Sequence, residues 1–256
     1  WRYYVLNEPV VADWEYDRLF KRLQKLENTF PETITPNSPT QRVSPDSVSD
    51  LDTVAHLTPM LSLDNSYNDE DLNSFDERIK KLTETEAETA LEYCVEPKFD
   101  GGTIALVYEN DVLQRGATRG NGARGEDITH NMRAMRSIPL EAKFSKYGIH
   151  RVELRGEALI RKDRFLAVNA KREKNGDSIL ANPRNAATGA LRVKDSKEVM
   201  ERALEAFIYQ VGYAVDKDGN DKMKTFDTHD DYIQMLEDLG FKVPTKRLNE
   251  RKVCKN

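Results

Sequence analysis

The fold is decided by residues 103–118, which read TIALVYENDVLQRGAT. Two runs rich in β-branched and aromatic residues flank the polar turn at 109–111, a pattern typical of an antiparallel β-hairpin. Outward from this hairpin, strands are predicted at 91–96, 151–160 and 204–215. Antiparallel hairpins mixed with helices favour an α+β fold over a doubly wound parallel sheet.

Helices are predicted on both sides of the strand-rich region. Apolar side chains recur at helical spacing in each of them, Asp13 is a candidate N-cap, and Gly240 follows the final helix as a candidate C′ residue. The predicted helices are 14–28, 69–82, 162–174, 182–192 and 228–239. Residues 31–59 are rich in Pro, Ser, Thr and Asp without a sustained period, which indicates a linker. We therefore predict two domains, 1–50 and 51–256.

Composition sets broad limits on function. Of the 256 residues, 38% are hydrophobic and 32% are charged, as in soluble globular proteins, and no apolar run approaches the length of a membrane span. The net charge of −5 does not indicate a nucleic-acid binder, so such a role needs a local basic patch. Two cysteines cannot form a four-cysteine zinc site or a disulfide framework. We expect a cytoplasmic protein whose natural N-terminus precedes Trp1, because the chain lacks an initial Met.

Residues 120–125 match the pattern G-x-G-x-x-G. A dinucleotide fingerprint requires a parallel βαβ unit, whereas this motif follows the second arm of a hairpin. A Gly-rich loop is therefore favoured, with a helix expected to begin at Glu126. Because the loop has two arginines, Arg119 and Arg124, a loop that contacts phosphate is favoured over a plain turn.

The stretch EPKFDGG at residues 96–102 is the strongest candidate for chemistry. A lysine between Glu96 and Asp100 commonly forms a surface ion pair. Lys98, however, is predicted at a strand end, at the rim of a core, immediately before two glycines. There it can be a nucleophile if its pKa is lowered by desolvation or nearby cations, and a metal ion beside a phosphate would serve the same end.

The sequence from Lys98 to Gly101 also matches the K-x-D-G motif of covalent nucleotidyltransferases. The surrounding blocks resemble those of bacterial NAD-dependent DNA ligases, in the same order along the chain. They are YYV (3–5), DWEYD (13–17), NSPTQRV (37–43), PMLSLDN (59–65), ATRGNG (117–122), LRGE (154–157), ANPRNA (181–186) and LR (191–192). The resemblance implies a small helical N-terminal subdomain that binds nicotinamide mononucleotide, followed by a nucleotidyltransferase (adenylation) domain.

The resemblance also implies a reaction. Lys98 attacks the α-phosphorus of NAD and expels nicotinamide mononucleotide, AMP passes to the 5′-phosphate of a DNA nick, and the 3′-hydroxyl displaces AMP. NAD is then the AMP donor, Mg²⁺ assists, zinc belongs only to a downstream domain, and nicked double-stranded DNA is the partner of the full-length enzyme. We expect a monomer without membrane association.

Site roles follow from the same resemblance. Glu96 and the backbone of Ser62 and Leu63 are expected to recognise the adenine edge. Tyr209 is expected to stack on the ring face, and Glu157 and Arg119 are expected to bind the ribose. Asp100 and Gly101 are also expected to belong to the nucleotide site. Without the resemblance, Tyr209 could instead pack in the core, and Glu157 could form an ion pair with Arg155.

Arg184 and Arg192 are eight residues apart, so we expect them on one helical face that binds phosphate. The alternative is that this face is merely solvated. The nicotinamide pocket comprises Tyr3, Tyr4, Asp13, Tyr16 and Asp17.

Two later family motifs, a D-G-[VM]-V-[IV]-K strand and a further lysine, are not found in the 256 residues. We therefore expect an incomplete adenylation domain that binds adenine nucleotides weakly and self-adenylates poorly. A non-catalytic NAD- or DNA-binding module is the first alternative. An ATP-dependent ligase or capping enzyme is the second, disfavoured because ATP offers nothing for the 13–17 helix to bind.

Overall fold

A computed structural model describes residues 13–42, 51–91, 93–244 and 253–254 of the chain. Its contacts divide it into two compact units. The first unit comprises residues 1–60 and 98–244, and the second comprises residues 61–97 and 245–256. Among the described residues, no helix combines the length and apolar character needed to cross a bilayer.

The strands and helices alternate irregularly along the chain. The strands are β1 (Thr53–Ala55), β2 (Tyr93–Cys94), β3 (Gly102–Glu109), β4 (Val112–Thr118), β5 (Arg124–Glu126), β6 (Arg151–Leu159), β7 (Glu205–Val215) and β8 (Val253–Cys254). The helices are α1 (Asp13–Thr29), α2 (Asp69–Leu82), α3 (Thr129–Ala134), α4 (Lys162–Lys174), α5 (Pro183–Ala190), α6 (Ser196–Arg202) and α7 (His229–Asp238). Mixed helices and antiparallel sheets confirm the predicted α+β class.

The first unit is built on a four-stranded sheet of order β4-β3-β6-β7, in which all neighbours are antiparallel. The predicted hairpin is confirmed as β3 and β4. Asn110 and Asp111 form its turn with φ of 52° and 70°, a left-handed conformation that Asn and Asp tolerate better than most residues. The turn of the hairpin therefore lies within the polar stretch predicted at 109–111.

The two faces of this sheet differ in character because side chains alternate along each strand. On the core face, Leu106, Leu154 and Ile208 are buried among side chains that include those of α3, α5 and α7. On the opposite face, the middle strand β6 presents Glu153, Arg155 and Glu157, opposite the partners Val107, Ala105 and Thr103 of β3. We call this second side of the sheet the charged face.

Several predicted elements occur with altered bounds. The strand predicted at 91–96 is reduced to Tyr93–Cys94, which pairs with β8 in the second unit. The helix expected at Glu126 was wrong, because Arg124–Glu126 is strand β5, paired with β1. The helix predicted at 182–192 ends at Ala190. The predictions for 69–82 and 162–174 are confirmed as α2 and α4.

Residues 13–42 belong to the first unit. In α1, Leu19 and Leu26 are exposed, so the predicted apolar face is only partly buried. Arg42 donates through Nη1 to the backbone carbonyls of Arg133, Met135 and Ile138, at 3.1 to 3.3 Å. The domain boundary predicted near residue 50 adjoins residues 43–50, which lie outside the described residues, and it stays a prediction.

The second unit contains α2 and the β2–β8 pair. Asn68 caps α2 by accepting a hydrogen bond from the Asp71 amide. The hydroxyl of Tyr93 donates to Asp76 at 2.5 Å, and Lys80 pairs with the same carboxylate at 2.8 Å. This hydrogen bond to Asp76 is the main reason why the pKa of Tyr93 rises to about 12.

Candidate functional site

Lys98 lies in an irregular segment that leads into β3. Its side chain is exposed, and the preceding strand β2 already ends at Cys94. The prediction that Lys98 lies at the end of a strand is therefore wrong. The next residue, Phe99, packs against Phe207 of β7 with ring centroids 4.6 Å apart.

Glycine is required at position 101, because the segment approaches the backbone of β6 too closely for a side chain. A Cβ atom at Gly101 would lie 2.2 Å from the carbonyl oxygen of Ala158 and 2.6 Å from Leu159 Cδ2. The Gly101 amide donates to Glu157 Oε1 at 3.1 Å. Asp100 pairs with Arg184 Nη1 at 2.9 Å. The K-x-D-G segment is thus attached to β6 through its glycine and to α5 through its aspartate.

Glu157 is buried on the charged face, with 8% of its surface exposed. Burial raises the pKa of Glu157, and four groups oppose this shift. They are the Thr103 hydroxyl, the Gly101 amide, and the positive charges of Lys98 and Arg184. The positive charges of Lys98 and Arg184 therefore partly offset the cost of burying the Glu157 carboxylate.

Tyr209 occupies a bulge in β7. The register passes from Gly156 opposite Ile208 directly to Arg155 opposite Gln210, which leaves Tyr209 as the extra residue. Burial and the negative charge of Glu157 raise the pKa of Tyr209 to about 12, and the positive charges of Arg155 and Arg119 oppose this shift. Because bulges redirect side chains, this irregularity sets the direction of the Tyr209 ring.

The loop at residues 120–125 returns the chain to β1 and does not open a helix. Gly120 and Gly122 have φ of 55° and 90°, and the Asn121 side chain accepts hydrogen bonds from the amides of residues 123 and 124. Arg124 donates through Nη2 to the Thr53 carbonyl at 3.0 Å. Strand β5 separates this loop from helix α3 and pairs antiparallel with β1, so the loop does not belong to the parallel βαβ unit of a dinucleotide fingerprint, in agreement with the prediction.

Arg184 and Arg192 are not on one helical face, so that prediction was wrong. Arg184 lies in α5, whereas Arg192 follows the end of that helix at Ala190. Arg192 Nε pairs with Glu126 at 2.5 Å, and Arg184 pairs with Asp100. The two guanidinium groups consequently contact different carboxylates of the first unit.

The remaining predicted residues lie elsewhere. Ser62, Leu63 and Glu96 belong to the second unit, where Ser62 and Leu63 line an open pocket of about 900 Å³ with residues of α2. The backbone at Asp13, Tyr16 and Asp17 is helical, as predicted. The side chains of these three residues, and Tyr3 and Tyr4 altogether, lie outside the described residues, so their roles stay predictions.

Sequence reasoning missed the role of Arg155, which was considered only as an ion-pair partner of Glu157. Both residues are described, and no ion pair joins them. Arg155 Nη2 donates instead to the Thr58 hydroxyl at 2.7 Å and to the Pro59 carbonyl at 2.8 Å. The shared position of Glu153, Arg155 and Glu157 on one face was predictable, because they are every second residue of one strand.

The fold and the site together define a nucleotidyltransferase, with a lysine in a K-x-D-G segment beside an antiparallel sheet. Residues 48–255 match the NAD-dependent DNA ligase adenylation domain, and residues 1–44 match the DNA ligase-like, N-terminal NAD+-binding domain. The chain belongs to the NAD-dependent DNA ligase family.

Curated relatives named DNA ligase agree with this assignment. The chain is 55% identical to the DNA ligase of Sulfurihydrogenibium azorense over 99% of its own length, and 54% identical to that of Persephonella marina over 100%. Its identity to the DNA ligase of Aquifex aeolicus is 49% over 100% of the chain. The chain spans 35%, 35% and 34% of these three relatives.

Proposed function

We propose that this chain carries the adenylation step of an NAD-dependent DNA ligase. Lys98 Nζ forms a bond to the α-phosphorus of NAD, the bond from that phosphorus to the nicotinamide mononucleotide phosphate breaks, and the amine loses a proton. The product is a lysyl-AMP phosphoramidate. The supporting observation is that the K-x-D-G segment that carries Lys98 is held beside Glu157 and Arg184. The Gly101 amide donates to Glu157 at 3.1 Å, and Asp100 pairs with Arg184 at 2.9 Å.

The nucleoside half of NAD is assigned to this face. In the proposal Tyr209 stacks on the adenine ring, while Glu157 accepts a hydrogen bond from a ribose hydroxyl and Arg119 donates one. Glu96 and the backbone at Ser62 and Leu63 recognise the adenine edge, an assignment that rests on the family resemblance. Asp100 and Gly101 orient the lysine, since both are held by contacts within the first unit.

The phosphates are assigned to Arg184 and Arg192, because guanidinium groups bind phosphate oxygens in a planar fork. Mg²⁺ at phosphates is held by one or two carboxylates, water and the phosphates themselves. Asp100 fits this requirement, since its side chain is 74% exposed and lies two residues from Lys98. The ion would supply positive charge at the α-phosphate. We place zinc outside these 256 residues.

The nicotinamide half is assigned to the N-terminal segment. Residues 1–44 match an NAD+-binding domain, and Asp13, Tyr16 and Asp17 follow the i, i+3, i+4 spacing of one helical face. Together with Tyr3 and Tyr4, they would hold the cationic ring by aromatic stacking and carboxylate charge. Nicked double-stranded DNA is the proposed acceptor of AMP, and we propose a cytoplasmic monomer.

The test uses the protein expressed from the complete reading frame that encodes this chain. Incubation with NAD and Mg²⁺ should add one AMP to the intact mass, release nicotinamide mononucleotide, and label Lys98 in peptide mass spectra. Lys98→Ala should abolish the adduct, whereas Lys162→Ala, at an exposed position of α4, should retain it.

Three outcomes would overturn the proposal. An adduct that persists in Lys98→Ala would place the nucleophile elsewhere. Adenylation by ATP with release of pyrophosphate would favour the ATP-dependent class. A protein that binds NAD but gains no AMP would favour a non-catalytic module. Residues 1–256 alone are expected to react slowly, and rapid stoichiometric adenylation of that fragment would refute this second expectation.

A further inference from the structure

The side chain of Asn131 holds the backbone on both sides of Arg192. Asn131 lies in α3 and is fully buried. Its Nδ2 atom donates to the carbonyl of Leu191 and to the carbonyl of Val193, each at 2.9 Å. Because Leu191 and Val193 are the two neighbours of Arg192 in the chain, one buried amide group fixes the path of the backbone before and after this arginine.

These two carbonyl groups lie beyond the end of α5 at Ala190, where a helix leaves its last carbonyls without partners of its own. The local hydrogen bonds at this point are long. The Arg192 amide donates to the Gly189 carbonyl at 3.3 Å, and the Val193 amide donates to the Ala190 carbonyl at 3.5 Å. The helix end by itself therefore holds Arg192 weakly, and the shorter hydrogen bonds from α3 supply the firmer attachment.

The chemistry of this attachment explains why position 131 is an asparagine. Both partners are carbonyl oxygens, which only accept, and the amide of asparagine offers two N–H donors from one nitrogen atom. Among the described residues, Asn131 Oδ1 has no hydrogen-bond partner. A buried acceptor without a partner costs free energy, so the two donors, rather than packing, account for this polar side chain in the core.

The same stretch of chain also contacts the Arg192 side chain. Glu126 of β5 pairs with Arg192 Nε at 2.5 Å, and the His130 ring is hydrogen-bonded to the Val193 carbonyl at 3.1 Å. The Arg192 side chain is 59% exposed. A long, exposed side chain loses rotamer freedom when it binds a ligand, so a fixed backbone and a carboxylate partner reduce that loss.

We propose that Asn131 is a positioning residue for phosphate binding by Arg192. It acts through the carbonyls of Leu191 and Val193 and does not itself contact the ligand. The group that Arg192 binds is a phosphate oxygen, supplied either by NAD or by the 5′-end of a DNA nick. This inference rests on the proposed function, in which Arg192 binds phosphate, and adds to it the residue that holds this arginine in place.

The test is a double-mutant cycle in the protein expressed from the complete reading frame. Asn131→Leu removes both donors at similar volume, Arg192→Ala removes the guanidinium group, and a third variant combines the two changes. Tyr108→Phe is the matched control. The hydroxyl of the buried Tyr108 also donates to a backbone carbonyl, that of Pro139 at 2.6 Å, and Pro139 adjoins no residue assigned to the site.

Two reactions distinguish the two sources of phosphate. In the first, single-turnover attachment of AMP from NAD is followed by intact mass. In the second, protein already loaded with AMP is mixed with nicked duplex DNA, and the adenylated DNA strand is followed on denaturing gels. A slower first reaction in Arg192→Ala assigns this arginine to the phosphates of NAD, and a slower second reaction assigns it to the phosphate of the nick.

Arg192→Ala should slow at least one of these reactions by about tenfold, as for the loss of a charge-assisted hydrogen bond. Asn131→Leu should slow the same reaction by about fivefold. The double variant should match Arg192→Ala within about twofold, because no arginine remains to be positioned. Asn131→Leu should lower the melting temperature equally with and without Arg192, whereas Tyr108→Phe should lower it and leave both rates unchanged.

The cycle separates positioning from a purely structural role, because independent effects on the rate multiply. Multiplied losses in the double variant, or wild-type rates in a folded Asn131→Leu, would overturn the inference. If Asn131→Leu does not fold, His130→Ala takes its place in the cycle, since it removes one hydrogen bond to the Val193 carbonyl, and wild-type rates in that variant would then overturn the inference.

The outcome also distinguishes this inference from the proposed function. If Arg192→Ala performs both reactions at the wild-type rate, the inference fails while the formation of lysyl-AMP stands. A wild-type protein that gains no AMP would refute the proposed function instead.

Discussion

Replacing Gly101 by alanine should destabilise the first unit and slow adenylation together. The new Cβ atom would start 2.2 Å from the Ala158 carbonyl oxygen, so the two atoms must separate by about 1 Å to reach ordinary contact. The opposing atom belongs to the backbone of β6, which cannot rotate away as a side chain can. Overpacking of this kind costs about 1–3 kcal/mol. For a unit of this size, a loss of 2 kcal/mol would lower the melting temperature by about 4–8 °C.

The same displacement would lengthen the 3.1 Å hydrogen bond from the Gly101 amide to Glu157, and would move Lys98 relative to that carboxylate. Adenylation by Gly101→Ala should therefore be slower than wild type even at temperatures where the variant is folded. Urea denaturation measures the stability, and time-resolved intact mass measures the rate of AMP attachment in the protein expressed from the complete reading frame.

Two other glycines of the first unit provide matched controls. At Gly102 a Cβ atom would meet the Leu191 side chain at 2.5 Å, which can move, so Gly102→Ala should cost less than Gly101→Ala. At Gly189, within α5, the nearest atom is Arg202 Nη1 at 3.9 Å, and alanine should stabilise the helix by about 0.5–1 kcal/mol. If Gly101→Ala is as stable as Gly189→Ala and adenylates at the wild-type rate, the steric reasoning is refuted.

Three further predictions concern one ionisable group, the core and the phosphate site. Burial raises the pKa of Glu157 in the folded protein above its usual 4.5, so the wild type loses stability as the pH rises from 4.5 through the folded-state pKa. Glu157→Gln should therefore have a higher melting temperature than wild type at neutral pH. A higher melting temperature of this variant at acidic pH alone would contradict the prediction. Leu154→Ala, at a fully buried position, should cost about 2–5 kcal/mol in urea denaturation, whereas Leu166→Ala, at a position 66% exposed, should change stability by less than about 0.5 kcal/mol. Arg184→Ala breaks an exposed ion pair with Asp100, so it should cost less than about 1 kcal/mol in stability; it should nevertheless slow adenylation, and unchanged adenylation kinetics would remove Arg184 from the phosphate site.

Local signals predicted much of the secondary structure. The hairpin of β3 and β4 follows from two β-rich runs around residues that tolerate a left-handed turn. Helix α7 follows from Thr228, which forms a capping box with Asp231, and from Gly240 beyond its end. These features were predictable because each depends on residues only a few positions apart.

Predictions failed where distant pairing overrides local preference. The chain at Glu126 was expected to begin a helix, but it pairs with Thr53 of β1. Arg192 was expected beside Arg184 on one helix, but it follows the end of α5 and pairs with Glu126. Sequence spacing does not report where a helix stops when tertiary contacts compete with it.

By itself, the sequence determined the α+β class, the lysine of the K-x-D-G motif and the resemblance to NAD-dependent DNA ligases. Only the tertiary structure decided that Glu157 reaches the Gly101 amide, that a bulge redirects Tyr209, and that Arg155 binds the chain at Thr58. The physical reason is that buried charges take whichever oxygen or amide partners the register of the sheet brings to them, and that register joins residues far apart in the chain.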